Sequence, residues 1–600
     1  MVFRVRIFSY TYDQLNRLTQ KSYPDTSTVN YTYDNDSRLT QVTDPTGTYQ
    51  FTFDNMGRLT GTSTQYAFLT SRTFTTSYGY DAASNRTGFT DPESGSTSYV
   101  YDTLNRLQTL TPPAAISGGS FGFGYDVLSR RTSLTRPNSV NANYGYDNLS
   151  RLLSMTHAKS GTTLDGAVYT VDNAGNRLTR TPQPTGTAST FGYDNIYELL
   201  SVTQNGSTTE SYTYDVVGNR LTNLGSAAWS YNTSNELNSR PNYSYTYDLN
   251  GNTQTMVDSS GTTTYSWDYE NRLASVALPG SGGSVYFKYD PFGRRIYKSS
   301  PSGASIYAYD GDNLVEETNS SGTAVARYTQ GLSIDEPLAM LRSGATSFYE
   351  ADGLGSVTSL TNSSGAVVET YTYDSFGNLS ASTGSIVNPF RYTGREWDAE
   401  TGLYYYRARY YDQTTARFFS EDPVTFLGGY NFYHYVGNNP ISFTDPSGLK
   451  KICSVPPVGP HSKLPSSITT CASEPLIQCI VQTESHGNPK ARSKKGAQGL
   501  TQMTPLGIKD LAQHGFDTAN MTNLQLGTTY INFLMTYCDS VATALAAYNA
   551  GWPSVNKAGS IPPFNRETQN YVFRINNCLE DKGLQQGVND PGVTGACGCQ

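Results

Sequence analysis

Glu484 is the residue whose position in this chain best suits acid–base chemistry. Ile477, Ile480, Val481 and Glu484 are spaced i, i+3, i+4 and i+7, so one helix would carry all four on a single apolar face. Residues 487–489 (Gly-Asn-Pro) end that helix just beyond the glutamate. Desolvation and the negative end of the helix dipole should raise the pKa of such a carboxyl. A proton-loaded carboxyl suits glycosidic cleavage. The alternative is a partly exposed glutamate at the helix edge.

The segments before Glu484 predict where its helix starts. Residues 450–472 contain several prolines, which disfavour both helix and sheet, so this stretch is interpreted as a linker. Ser473-Glu474-Pro475 then has the pattern of a helix start, with serine as the cap and proline in the first turn.

A repeated unit occupies most of the chain before this linker. It consists of aromatic, any residue, aromatic and Asp, then a short spacer followed by Arg-Leu. Examples are YTYDQLNRLT at Tyr10, YTYDNDSRLT at Tyr31, FTFDNMGRLT at Phe51 and YVYDTLNRLQ at Tyr99. A recurrence at nearly fixed spacing indicates a repeat architecture. Each unit is predicted to be a β-hairpin with Asp in its turn, and stacked hairpins bury the aromatic face that one hairpin alone cannot.

These units resemble the YD repeat of the Rhs proteins and of the related C components of Tc toxins, across residues 8–449. The resemblance implies a β-sheet that spirals into a hollow shell around a toxic C-terminal domain. Residues 388–449 are similar to the Rhs core-associated segment, which closes the shell and ends in DPxGL, here Asp445 to Leu449. One departure is Ala416, where Gly is usual.

The resemblance further implies self-cleavage after Leu449 by carboxylates acting inside the shell. Two carboxylates held close together can divide the roles of acid and base. Asp422 is the first choice, and Asp445 and Asp398 are candidates for its partner. Arg409 would hold a carboxylate or stabilise the charged intermediate. For each of the four the alternative is structural, because Asp-Pro begins turns and Arg pairs with acids.

The sequence TESHGNPKARSKKGAQGLTQMTP around Glu484 is similar to the signature of soluble lytic transglycosylases, which share the goose-type lysozyme fold. Their AAYNAG motif and their ET-x-x-YV motif follow in the same order. Thr501 stands where the family has Met, which alters the expected sugar cleft. The resemblance implies that Glu484 protonates the bridging oxygen between N-acetylmuramic acid and N-acetylglucosamine. The residues expected to line the glycan cleft are Ser485, Ser493, Gln502, Tyr548, Asn549, Glu567 and Tyr571. Glu567 is equally well interpreted as a structural ion-pair partner.

Composition separates the two parts of the chain. All seven cysteines follow residue 452, and residues 451–600 carry 11 Lys+Arg against 9 Asp+Glu in a chain of net charge -8. The cysteines indicate either buried thiols or disulfides formed in an oxidising compartment. No paired CxxC motif, HExxH or apolar run of membrane-spanning length occurs, so no metal, cofactor or membrane span is expected. The N-terminal residues lack a signal-peptide pattern, and the chain is interpreted as the C-terminal part of something longer.

The predicted fold class is multidomain: an all-β YD-repeat spiral shell followed by a mainly α lysozyme-like domain. The expected divisions are repeats at 1–387, the cap at 388–449, the linker at 450–472, the lytic domain at 473–582 and a Gly/Cys tail at 583–600. The expected function is that of a toxin that cleaves peptidoglycan, delivered to a target periplasm or cell wall. Its expected partners are glycan strands, an immunity protein and a secretion-system spike, without nucleic acid. The alternative is a cell-surface scaffold or interaction protein that binds or remodels the bacterium's own wall.

Overall fold

The computed structural model describes residues 8–226, 228–423 and 431–449, together with the backbone of 452–453. These residues belong to one compact unit, which takes in residues 1–423 and 430–460. In the described part, β-strands supply the regular structure, and the helical elements are single 3-10 turns at Tyr392–Gly394 and Val436–Asn438. The all-β repeat region predicted from the sequence is therefore confirmed.

The first sheet is a 20-stranded antiparallel meander in which each strand pairs with the next along the chain. Its strands are β1 Ser9–Tyr12, β2 Leu18–Ser22, β3 Thr28–Tyr33, β4 Leu39–Asp44, β5 Gly47–Phe53, β6 Leu59–Tyr66, β7 Phe74–Tyr80, β8 Arg86–Thr90, β9 Ser96–Tyr101, β10 Leu107–Thr111, β11 Phe121–Tyr125, β12 Arg131–Thr135, β13 Val140–Tyr146, β14 Leu152–Lys159, β15 Thr162–Val171, β16 Arg177–Pro182, β17 Ser189–Tyr193, β18 Leu199–Gln204, β19 Ser207–Tyr214 and β20 Arg220–Asn223.

The second sheet continues the same pattern with 16 strands. Its strands are β21 Ser230–Tyr231, β22 Leu237–Arg240, β23 Tyr243–Tyr247, β24 Thr253–Asp258, β25 Gly261–Trp267, β26 Leu273–Ala277, β27 Ser284–Tyr289, β28 Arg295–Ser300, β29 Gly303–Asp310, β30 Asn313–Thr318, β31 Ala324–Gln330, β32 Pro337–Arg342, β33 Ala345–Ala351, β34 Val357–Asn362, β35 Val367–Tyr373 and β36 Leu379–Thr383.

The repeat motif builds one hairpin per unit and links each hairpin to the next. Asp13 Oδ1 accepts the N–H of Arg17 at 3.0 Å, and Asp13 Oδ2 accepts Arg17 Nε at 2.6 Å. Arg17 Nη1 then donates to the carbonyl of Asp34 in the following unit at 3.0 Å, and its guanidinium lies over the Tyr33 ring. Tyr33 Oη donates back to the carbonyl of Leu18. The aromatic and charged residues of the motif therefore serve packing and turn formation, as predicted.

The same Asp–Arg link recurs along both sheets. The further pairs are Asp34–Arg38, Asp54–Arg58, Asp102–Arg106, Asp126–Arg130, Asp147–Arg151, Asp268–Arg272 and Asp290–Arg294.

Contacts between the two sheets show that the second sheet is a further turn of one spiral. The pairs that join the turns include Lys21 with Glu270, Tyr66 with Tyr307, Arg136 with Tyr349, Arg177 with Gly353, and Glu210 with Ser375. The sequence separation of paired residues falls from 249 at the first of these contacts to 165 at the last. Each turn therefore contains fewer residues toward the C-terminal end of the shell, so the spiral narrows in that direction.

A small third sheet and a short strand pair follow the second sheet. The third sheet contains β37 Glu396–Asp398, β38 Leu403–Tyr406, β39 Arg409–Asp412 and β40 Arg417–Phe418. Every residue of β38 and β39 is buried. Tyr404, Tyr406 and Tyr411 share a cluster with Phe418 and Tyr435, whereas Tyr405 and Tyr410 belong to a second cluster that includes Phe287 and Phe419. The strand pair is β41 Phe443–Thr444 with β42 Ile452–Cys453. Buried Ala416 has a φ of 58°, which is a left-handed conformation that favours the Gly usual at this position.

Candidate functional site

Three of the four residues predicted for self-cleavage meet in the part of the chain that follows the second sheet. Arg409 is the first residue of β39, Asp422 follows β40, and Asp445 directly follows β41. All three are buried. The antiparallel pairing within the third sheet and the return of the chain through β41 bring these sequence-distant positions together.

One nitrogen atom of Arg409 contacts both carboxylates. Arg409 Nη2 lies 3.0 Å from Asp422 Oδ2 and 3.5 Å from Asp445 Oδ2. The other nitrogens of the guanidinium are also used, because Nη1 donates to the Phe432 carbonyl at 2.9 Å and Nε donates to the Gly448 carbonyl. The arginine therefore fixes the two acids relative to each other and to the segment that precedes Leu449.

The environment of the Arg409 guanidinium strengthens these charge interactions. Its Cζ atom lies 3.6 Å from the centroid of the Phe418 ring, a cation–π contact. Burial lowers the pKa of Arg409, while Asp422 and Asp445 act in the opposite direction. In a site with little water, the attraction between the guanidinium and two carboxylates is stronger than at a protein surface.

Asp445 also holds the backbone of the DPSGL segment. Its Oδ1 accepts the N–H of Leu449 at 3.1 Å and the hydroxyl of Ser447 at 3.2 Å. Gly448 has a φ of +70°, and a Cβ there would overlap the Tyr406 carbonyl oxygen. The glycine of this motif is therefore required both by backbone conformation and by space.

Asp398, the fourth predicted residue, lies in a different ion-pair cluster. It pairs with Arg295 and, at 3.2 Å, with Lys298 Nζ, and Arg295 also pairs with Glu396 at 2.8 Å. Burial raises the pKa of Asp398, but Arg295 and Lys298 together hold it below its ordinary value. These contacts join β28 to β37 and so connect the third sheet to the second.

Two residues of this region were not predicted from the sequence. Arg407 donates to the Pro446 carbonyl and to both carboxylate oxygens of Asp335. Arg407 stands two residues before Arg409 in RARYYD, so the same motif offered a signal that could have identified it. Asp335 lies 72 residues earlier in the chain, in the connection between β31 and β32, and no sequence pattern links it to this site.

A cavity of about 740 Å³ borders the same segment. Its lining includes Leu449, Ser447 and Arg407, together with Tyr269 and Phe292, which lie in connections between strands of the second sheet. Space next to Leu449 is what access by water to this peptide segment requires. Among the residues that the structure describes, no cluster of His, Cys, Asp and Glu has the composition of a metal site. Within the same residues, no helix has the length and apolar character needed to cross a membrane.

The predicted glycan-cleaving site lies outside the described residues. It comprises Glu484, Ser485, Ser493, Gln502, Tyr548, Asn549, Glu567 and Tyr571.

Comparison with protein families gives two matches along the chain. The described residues form an all-β repeat fold that winds as a spiral. Residues 4–169 and 185–441 match the Teneurin YD-shell family, and the chain belongs to this family. Residues 469–570 match the Transglycosylase SLT domain, and this range contains every predicted glycan-site residue except Tyr571, one position beyond its end.

Curated relatives share the repeat type over part of their length. The chain is 34% identical over 258 residues to the tRNA nuclease WapA of Bacillus subtilis, which is 40% of this chain and 11% of that protein. It is 30% identical over 227 residues to the probable deoxyribonuclease RhsA of Dickeya dadantii, which is 35% of this chain and 15% of that protein. The chain thus spans only a small part of the length of these relatives.

Among solved structures, a crystal structure of TcdB2-TccC3-Cdc42 is similar with a TM-score of 0.60 and 18% identity. The match covers 74% of this chain and 27% of that chain. At this identity the likeness shows the fold alone.

Proposed function

We propose that this chain is a YD-shell toxin whose C-terminal domain is a peptidoglycan lytic transglycosylase with a lysozyme-like fold. The observation that carries the proposal is the match of residues 469–570 to the Transglycosylase SLT domain. Glu484 lies inside that range and combines a carboxyl group with an apolar helical pattern. The nuclease names belong to the relatives WapA and RhsA, and this chain carries an SLT domain in its C-terminal part.

In the proposed reaction, Glu484 donates a proton to the oxygen that joins N-acetylmuramic acid to N-acetylglucosamine. The C–O bond on the muramic acid side breaks, and its C1 gains oxocarbenium character. The C6 hydroxyl of the same sugar attacks C1 and gives its proton to Glu484. The products are a 1,6-anhydro-muramic acid end and an N-acetylglucosamine end, and the glutamic acid is regenerated. Ser485, Ser493, Gln502, Tyr548, Asn549, Glu567 and Tyr571 are proposed to contact the glycan.

We further propose that the chain cleaves itself after Leu449. One carboxylate of the Asp422–Asp445 pair removes a proton from water, and the water oxygen attacks the Leu449 carbonyl carbon. The other, protonated, carboxyl donates to the amide nitrogen of Lys450 as the C–N bond breaks. The products are a carboxylate at Leu449 and an amine at Lys450. Support comes from the shared contact of both acids with Arg409 Nη2 and from the bond between Asp445 and the Leu449 N–H.

The proposed biological role combines these two activities. The shell would occupy residues 1–387, the cap 388–449, the linker 450–472, the lytic domain 473–582 and a tail 583–600. Cleavage would break the covalent connection between the lytic domain and the shell before the domain reaches the wall in a target periplasm. A cognate immunity protein and a delivery component such as a secretion-system spike are the proposed protein partners.

Intact-mass analysis of the purified full chain tests self-cleavage. The expected products are residues 1–449 and 450–600, and Asp422→Asn, Asp445→Asn and Arg409→Lys should each leave the chain whole. Asp258→Asn is the control, because Asp258 caps a hairpin turn with Ser260. Cleavage of the Asp422 and Asp445 variants at the control rate would contradict the assignment.

Mass spectrometry of peptidoglycan digested by the same protein tests the glycan chemistry. Anhydro-muropeptides are expected, whereas reducing ends would mean that water, and not the C6 hydroxyl, completes the reaction.

A further inference from the structure

Three consecutive carbonyl groups before the proposed cleavage point are held by three consecutive residues of the third sheet region. In order, Arg407 Nη1 donates to the Pro446 carbonyl, the N–H of Ala408 donates to the Ser447 carbonyl at 3.1 Å, and Arg409 Nε donates to the Gly448 carbonyl. The next carbonyl along the chain belongs to Leu449. Residues 407–409 are therefore named the carbonyl clamp, since they fix the register of the segment that carries the proposed scissile bond.

The first residue of the clamp is itself held by the shell. Asp335 Oδ1 accepts Arg407 Nη2 at 2.7 Å, and Asp335 Oδ2 accepts Arg407 Nη1 at 3.1 Å. Asp335 Oδ1 also pairs with Arg395, which precedes β37. Asp335 belongs to the connection between β31 and β32 of the second sheet, and its side chain is buried. One shell carboxylate therefore joins two arginines of the cap region.

The contacts with Asp335 orient the side chain of Arg407. Its backbone φ of 60° is that of the first residue of the two-residue hairpin turn between β38 and β39. The same nitrogen, Nη1, contacts both Asp335 and the Pro446 carbonyl. A neutral side chain at position 335 would remove the charge that orients this guanidinium. The hydrogen bond from Arg407 to the Pro446 carbonyl would then weaken.

We infer that Asp335 is a positioning residue that makes self-cleavage conditional on the docking of the cap region onto the second sheet. Through Arg407 it sets the register of residues 446–448 against Arg409, and so presents Leu449 to Asp422 and Asp445. This inference rests on the proposed self-cleavage. Its consequence is an order of events, in which the shell strands β31 and β32 must be in place before the chain is cut.

The rate of cleavage in newly made full-length chains tests the inference. Protein is labelled during cell-free synthesis, and conversion to residues 1–449 and 450–600 is followed by gel electrophoresis. Asp335→Asn and Arg407→Lys should each slow cleavage at least about tenfold, because small errors in position strongly reduce intramolecular reaction rates. The double variant should be no slower than the slower single variant, and Asp335→Glu should recover part of the rate.

The control and a second readout separate positioning from general loss of structure. Asp258→Asn should cleave at the wild-type rate, because the carboxylate of Asp258 bonds Ser260 within the hairpin turn between β24 and β25. The pH dependence of the rate should keep its shape in Asp335→Asn, since Asp422 and Asp445 are unchanged. Protease resistance of the uncleaved chain reports folding of the shell.

Several results would overturn the inference. A wild-type rate in Asp335→Asn would do so, and so would rate losses that multiply in the double variant. If Asp335→Asn does not fold, Arg407→Lys and Asp335→Glu decide the question, and wild-type rates in both reject it. Failure of the wild-type chain to cleave would instead reject the proposed self-cleavage, and the inference with it.

Discussion

Gly448 lies against the backbone of Tyr406 so closely that no side chain fits between them. A Cβ at Gly448 would overlap the Tyr406 carbonyl oxygen and come within 3.1 Å of the Arg409 nitrogen. The DPSGL segment therefore packs directly against the β38–β39 hairpin, which supplies Arg409.

Replacement of Gly448 by alanine is expected to impair self-cleavage. The substitution adds the cost of a left-handed backbone, about 1 kcal/mol, and it also forces residues 446–449 away from β38 and β39. Gly402→Ala is the matched control, because Gly402 has a φ of +69° and a Cβ added there would meet no other atom within 4 Å. Gel analysis should show slower cleavage for Gly448→Ala only. Equally slow cleavage in the two variants would mean that the strain of the left-handed backbone alone causes the effect.

Replacement of Glu484 by glutamine is expected to abolish lysis of purified cell wall while leaving self-cleavage intact. Glutamine keeps the size of the side chain but cannot donate the proton that glycosidic cleavage requires. A loss of at least about a hundredfold in the rate of turbidity decrease is expected for a lost general acid. Lysis at the wild-type rate by Glu484→Gln would place the acid elsewhere.

Replacement of Arg58 by lysine should destabilise the shell by about 1 kcal/mol. The arginine donates to Asp54 Oδ2 at 2.7 Å and to the Asp81 carbonyl at 2.8 Å, and a lysine cannot make both contacts in this geometry. Asp36→Asn is the control, because Asp36 is exposed and its pair with Arg38 should contribute well under about 1 kcal/mol. Denaturant titration measures the change in the free energy of unfolding for both variants. Equal changes would argue against the contact between Arg58 and the Asp81 carbonyl as a source of stability.

Replacement of Glu350 by glutamine should flatten the pH dependence of shell stability. Burial raises the pKa of Glu350 to about 8, although Arg136 at 3.8 Å acts to lower it. An unfolded glutamate releases its proton near pH 4.5, so between these values the folded chain binds more protons. Stability should therefore fall as pH rises through this window, by up to about 1.4 kcal/mol per pH unit.

Melting temperatures at pH 5 to 9 check this expectation for wild type and Glu350→Gln. The neighbouring groups His157, Asp165 and Arg136 are common to both proteins, so the difference between the two curves isolates Glu350. Parallel curves for the two proteins would show that the Glu350 carboxyl does not determine how the melting temperature changes with pH.

The repeat architecture was predictable because its determinants are local. In the linked units the Asp lies four residues before its Arg, so the turn and the start of the return strand are encoded within one unit. The proximity of Arg409, Asp422 and Asp445 was predictable through the resemblance of residues 388–449 to a family segment. The separation of Asp398 from them was not, because it follows from Arg295, which lies 103 residues earlier. Asp335 was missed for the same reason, since only the stacking of the turns brings it to Arg407.

The Asp–Arg link has a direction, because the arginine of a linked unit, such as Arg17 or Arg58, donates to a carbonyl of the following unit. Duplication of one unit in a gene would therefore preserve the links along the strip. It would also shift every later contact between the turns, such as Glu210 with Ser375, by the width of a hairpin. Inherited insertions and deletions of whole units should therefore accumulate at the two ends of such a spiral. The register of contacts between turns in its interior should be conserved.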